Sequence, residues 1–227
     1  MACRLNHDEI DGLLAIGKPA IGVGGPFPGL STISIDDREV ARQATEHLIN
    51  LGHQHVAHIG GRDDHGPTFN MAQLRLDGYR QALRTNGLPL HPPWMTESDF
   101  TVAGGYRTAK RLLRDPTDRP TAIFSSSDEM AAGAMLAARE LGLAIPDDLS
   151  IISIDGHELA QTFGITTYSQ APQEQGRRAC LRLLSILKDP QLNPPFDEQF
   201  EAKLVTRSST ATPNARANHM EAAGTVR

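Results

Sequence analysis

The chain predicts an α/β fold built as doubly wound parallel sheet, because short apolar runs and helical repeats alternate along most of its 227 residues. The apolar runs are bounded by Gly, Pro or Ser, as in strands buried on both faces, and the segments between them switch to helical spacing. Right-handed crossovers then place helices on both faces of the sheet. The clearest unit spans residues 120–158. Thr121 to Phe124 gives a strand. Met130, Ala131, Ala134, Met135, Ala138 and Leu141 then recur at helical spacing until Gly142 and Pro146 stop the helix. Ser150 to Ile154 gives a second strand that delivers Asp155 at its carboxyl end, the place where open parallel sheets bind ligands.

The other elements follow in order. Residues 8–17 predict a short helix leading into a buried strand from Pro19 to Val23, and the loop GGPFPG separates it from a second apolar piece, Thr32 to Ile35. Asp36 and Asp37 come next, and Val40, Ala44, Leu48 and Leu51 form one helical stripe closed by Gly52. His53 to Gly60 reads as a strand, followed by a polar loop and a helix over 71–86 with Leu76, Tyr79 and Leu83 inward. An extended piece from Trp94 to Asp99 precedes a helix from Ala103 to Arg114. After the central unit come a strand from Ile165 to Ser169 and a helix opened by Pro172 and continued through Leu183, Leu184 and Leu187. A Pro- and Asn-rich segment leads to a last strand, Phe200 to Thr206. From about Ser208 onward the absence of apolar periodicity predicts a disordered tail.

Composition narrows the function. The chain is 39% hydrophobic and 22% charged, enough for a substantial core in one domain or two small lobes. A net charge of −5 with scattered basic residues argues against nucleic-acid binding through its own surface, and no helix-turn-helix is visible. Cys3 and Cys180 form no metal, redox or disulfide pattern, no run reaches membrane-spanning length, and the first residues are too polar for a signal peptide. These features predict a cytoplasmic protein. His53, His55 and His58 are read as structural: on a strand the first two share one face and the third takes the other, so no metal site is expected. GVGGPFPG lacks the Gly-Lys-Ser/Thr ending of a phosphate loop, and no nucleophile pair stands at recognisable spacing. Neither cofactor nor catalysis is expected.

Five segments carry a resemblance: TEHLINLGHQHVAHIGG (45–61), LRLDGYRQAL (74–83), DFTVAGGY (99–106), PTAIFSSSDEMAAGAM (120–135) and IPDDLSIISID (145–155). Together they resemble the effector-binding core of lactose-repressor (LacI) family transcription regulators, over about residues 8–210. The resemblance implies a periplasmic-binding-protein-like fold of two α/β lobes joined by three crossings, near Ile35 to Asp37, Tyr168 to Gln170 and Pro195 to Gln199. One lobe would combine residues 1–35 with 169–196, the other 36–168 with 197–210, leaving 211–227 as a disordered tail. Alignment places GLLAIGKPAIGV at the third strand of such a core and the helix before it, so the first lobe is expected to be incomplete. The family's DNA-binding headpiece is expected to be absent from this chain. A small-molecule effector, a homodimer, and operator DNA reached only through that headpiece are the implied partners, with no role for a membrane.

The resemblance also nominates residues. Arg75 matches the family arginine that donates to the effector, its guanidinium fork suiting carboxylates or paired hydroxyls. Its ordinary alternative is a surface arginine paired with Asp77. Asp155 matches the acid that accepts from vicinal sugar hydroxyls or a base, against the alternative of a turn residue. Phe100 takes the place of the stacking aromatic, or is plain core. Ser127 stands where many relatives carry Asn, and Asp128 reads as a helix cap rather than a ligand contact. Asp36, at the first crossing, is either a cleft contact or a solvated turn. Gly24 and Gly25 replace an Asp-Arg pair that relatives commonly hold. The expected function is effector sensing, of a sugar or related metabolite. Its rivals are a transport-type periplasmic solute-binding protein, which shares fold and cleft, and, less well supported, a small enzyme using the same strand ends.

Overall fold

A computed structural model describes residues 7–25, 27–62, 70–189, 191 and 195–214. Nine strands and seven α-helices are assigned among the described residues. A smaller parallel sheet has the order β1 (Ile21–Val23), β2 (Ser31–Ser34), β8 (Asp197–Gln199). The larger has the order β4 (Met95–Ser98), β3 (Val56–Gly61), β5 (Ala122–Ser125), β6 (Ser150–Asp155), β7 (Thr166–Ser169), β9 (Lys203–Val205). All its pairings are parallel except that of β9 with β7.

Alternation along the central strands sorts the core onto two faces. Ile123 and Ile151 meet α4 (Val102–Leu112) and α5 (Asp128–Glu140), whereas Phe124, Ile152 and Ile154 meet α2 (Asp37–Asn50) and α3 (Met71–Thr85). Glycine sets the spacing of both helix pairs. A Cβ on Gly78 of α3 would lie 2.2 Å from the Arg38 carbonyl of α2, and one on Gly133 of α5 would lie 2.1 Å from the Val102 carbonyl of α4. Side-chain caps fix where three helices begin: Asp36 accepts from the Glu39 N–H, Thr101 from Gly104 and Ser127 from Met130. The remaining helices are α1 (His7–Ala15), α6 (Glu158–Phe163) and α7 (Pro172–Lys188). Among the described residues no helix is long and apolar enough to cross a membrane.

Three expectations change. The short helix α6 was not foreseen; it ends at Gly164, which takes a left-handed φ of 68°. The last strand, expected over 200–206, is found as the shorter β9, and an unforeseen strand, β8, precedes it. β8 adds to the small sheet, where the Thr32 hydroxyl donates to Asp197 at 2.6 Å, so residues 197–199 pair with β2. The tail expected from Ser208 begins as ordered structure. Ser209 is fully buried, its hydroxyl accepting from the Thr166 N–H at 2.8 Å and donating to the Ile151 carbonyl at 2.5 Å. The Ala211 carbonyl accepts from His53 Nε2 and from Ser150 Oγ, so this segment supplies partners that the sheet's polar groups would otherwise lack. Residues 215–227 of the expected tail lie outside the described residues.

The close approach of α4 and α5 is open to test. Alanine at position 133 gains about 1 kcal/mol of helix propensity but overpacks the contact at a cost of about 3 kcal/mol. Gly133→Ala is therefore expected to lower stability by about 2 kcal/mol in urea denaturation, and an unchanged or raised midpoint contradicts the contact.

Candidate functional site

The five parallel strands of the large sheet end on one rim, and backbone strain gathers there. Three described non-glycine residues have positive φ: Phe100 at 57°, after β4; Asp155 at 135°, closing β6; and Ala171 at 47°, after β7. Such conformations cost on the order of 1–3 kcal/mol each and concentrate where ligands are held.

Arg75 occupies the centre of the rim. It projects from the inner face of α3 and is 1% exposed. Its Nε donates to Asp37 Oδ1 at 2.7 Å, its Nη1 donates to the Ser126 carbonyl, and Nη1 stands 3.7 Å from Asp155 Oδ1. Nη2 has no hydrogen-bond partner among the described residues. Burial works against the charged form, but Asp37, Asp155 and Asp128 outweigh it and hold the guanidinium's pKa above its ordinary value.

Asp155 keeps 30% of its side-chain surface exposed and accepts from Gln170 Nε2 at 2.6 Å. Burial pushes its pKa up to about 7; Arg75 opposes the shift, while Asp128 and Glu129 add to it. Behind it, Asp128 is fully buried and accepts from Ser153 Oγ at 2.5 Å, Thr167 Oγ1 at 2.7 Å and the His157 N–H at 2.6 Å. It ties α5 to β6 and β7. The half-buried Phe100 ring lies on the end of β3, where a Cβ on Gly61 would come within 1.8 Å of it.

Arg75 and Asp155 are thus brought together, while Phe100 follows β4, which β3 and β5 separate from β6. Arg75 bonds not to Asp77 but to Asp37, a residue the sequence reading passed over. Asp36 is exposed and its carboxylate accepts from the Glu39 N–H at the start of α2, while its neighbour Asp37 supplies the buried acid beside Arg75. Ser127, 2% exposed, is the cap of α5, the role expected of Asp128; Asp128 instead bridges strands. Gln170 and the Ser126 carbonyl were also not anticipated. No group of three His, Cys, Asp or Glu able to hold a metal occurs among the described residues. Chemically, the rim offers a fixed cation with one donor to spare beside a carboxylate of adjustable protonation.

Residues 45–210 match the periplasmic binding protein-like domain. The chain belongs to that family. As a periplasmic-binding-protein-like domain it is 35% identical over 221 residues to the HTH-type transcriptional repressor CytR of Escherichia coli K12, covering 89% of this chain and 63% of that repressor. The chain therefore spans less than two thirds of that relative's length. Its fold superposes with a TM-score of 0.82 on a transcription regulator from Lactobacillus plantarum, at 28% identity, covering 92% of this chain and 79% of that one. A LacI family transcriptional regulator from Enterococcus faecium, solved with bound ribose, matches at 26% identity and a TM-score of 0.78, covering 91% and 76%. The resemblance to LacI-type cores read from the five segments agrees with these relatives.

Two measurements probe the cluster. Arg75→Leu leaves Asp37 buried without its cation and is expected to cost about 3–5 kcal/mol in chemical denaturation; a loss below about 1 kcal/mol contradicts the pair. Because the folded-state pKa of Asp155, about 7, exceeds the ordinary 3.8, the folded chain binds the extra proton between these values. The contribution of this residue to stability therefore falls as pH rises through that window. Carbon-13 NMR of the Asp155 carboxyl is expected to give a midpoint near 7, and a midpoint near 3.8 contradicts the assignment.

Proposed function

We propose that this chain is the effector-sensing part of a LacI-type transcriptional regulator, and that its effector is a small polyhydroxylated molecule such as a sugar. The observation that carries this reading is the spare Nη2 donor of Arg75, buried beside the Asp155 carboxylate. A guanidinium N–H donates to one hydroxyl oxygen while a carboxylate accepts from another, so vicinal hydroxyls satisfy both groups at once. The ring of Phe100 offers a flat apolar surface to the face of such a ligand. Ser127 contributes only by fixing the start of α5, and Asp36 only by capping α2.

In this reading one lobe comprises residues 1–35 with 169–199 and the other 36–168 with 200–210. Closure of the lobes on the ligand shifts the balance between open and closed arrangements. In the intact regulator that balance governs the affinity of a headpiece, outside this chain, for operator DNA, with two copies paired. The chain itself carries out no reaction in this scheme. The names of its relatives support the regulator, and the ribose in the Enterococcus faecium structure supports the ligand class.

Isothermal titration calorimetry against pentoses, hexoses and nucleosides is expected to find at least one that binds. Asp155→Asn is expected to weaken it by about tenfold or more, the worth of one charge-assisted hydrogen bond. Affinity in wild type is expected to fall as the pH drops below about 7, as Asp155 takes up its proton. If no sugar or nucleoside binds, or if binding ignores Asp155→Asn, the effector reading is wrong.

A further inference from the structure

Along the flank of α3 next to Arg75, a groove of about 500 Å³ opens between that helix and the β3–β4 edge of the sheet. Gln73, Leu76 and Arg80 of α3 form one wall, and Met95 and Glu97 of β4 form the other. Arg62 stands at the end of β3, and His58 lies at the base.

His58 is 1% exposed and stacks between Tyr79 and Phe124, at 5.2 Å and 5.0 Å between ring centroids. Its Nε2 bonds with Ser126 Oγ at 2.9 Å, whereas Nδ1 has no hydrogen-bond partner among the described residues. The unbonded edge of the ring lies over Gly60, where a Cβ would come within 2.8 Å of Cε1 and 3.3 Å of Nδ1. Both residues line the groove, and a side chain at position 60 would collide with the imidazole edge. Burial, aided by Arg80 and Arg75, lowers the His58 pKa to about 3, so the ring is neutral. It offers one donor or one acceptor at Nδ1, in the complement of the role Nε2 takes toward Ser126. A buried polar atom left without a partner is destabilising, and a ligand atom that bonds to it recovers that cost. Two guanidinium groups against the single carboxylate of Glu97 leave the lining net positive.

We propose that this groove is a second small-molecule site, separate from the cleft of Arg75 and Asp155, for a small organic anion whose phosphate or carboxylate meets Arg62 and Arg80 while a second polar atom reaches His58 Nδ1. Arg80 and Arg62 supply charge-assisted donors, and Glu97 accepts from a hydroxyl of the same ligand. The two sites share a residue. The Ser126 hydroxyl bonds His58, and the Ser126 carbonyl accepts from Arg75. An occupant that fixes the His58 tautomer therefore fixes the direction of the Ser126 hydroxyl next to the effector cation.

The test is calorimetric titration of the full chain with inorganic phosphate, glycerol 3-phosphate and malate, with uncharged glycerol as control. Nitrogen-15 imidazole NMR follows His58 in the same samples. At least one anion is expected to bind and to shift the His58 Nδ1 resonance, while glycerol does neither. Arg80→Gln and Arg62→Gln, at surface positions that leave the core intact, are each expected to weaken the anion by about tenfold or more. The proposal is overturned if none of the anions binds, or if binding survives both substitutions with the His58 resonance unmoved. It is equally overturned if Asp155→Asn, rather than the groove substitutions, abolishes binding, because the anion then occupies the cleft.

Discussion

A guanidinium held at 1% exposure constrains everything packed around it. An uncompensated buried charge costs several kcal/mol, so Arg75 forces its surroundings to supply compensation from three other places in the chain. Asp37 comes from the first turn of α2, the Ser126 carbonyl from the turn after β5, and Asp155 from the end of β6, while the arginine itself belongs to α3. The close α2–α3 contact at Gly78 holds the arginine's helix against that of Asp37. Asp128, spending its carboxylate on Ser153, Thr167 and His157, holds β6 and the start of α5 in register behind Asp155. What remains after these bonds is the unbonded Nη2 amino group and one partly protonated carboxyl at the same rim.

The fold was legible because its strands are buried on both faces and its helices are amphipathic, so the change of period marks each element. The candidate site was legible only in part, and two neighbouring pairs explain why. At Asp36 and Asp37, and again at Ser127 and Asp128, either residue has the chemistry of a cap or of an inward ligand. In both pairs the first residue takes the cap, and the second, rotated about 100° further round the helix, turns inward. Spacing alone gives the rotation but not the starting phase, which the surrounding sheet sets. The carbonyl of Ser126 escaped notice for a different reason, since any residue offers one and its use depends on which side chain arrives.

Long-range pairing accounts for the remaining differences. β8 carries an acidic, polar sequence with little strand character of its own, and it becomes a strand because β2 offers an open edge and a hydroxyl for Asp197. The segment around Ser209 has no apolar repeat, yet it is ordered by the unsatisfied groups of Ile151, Thr166, His53 and Ser150 that it completes. Both are stabilised by contacts more than forty residues away in sequence, beyond the reach of a local pattern.

The effector reading rests on the spare donor of Arg75 and the carboxyl of Asp155 acting as one recognition unit. A crystal structure of the chain with a bound sugar tests that most directly. The account predicts sugar oxygens about 3 Å from both Arg75 Nη2 and the Asp155 carboxylate. A sugar bound elsewhere, with Nη2 of Arg75 still unbonded, would contradict it.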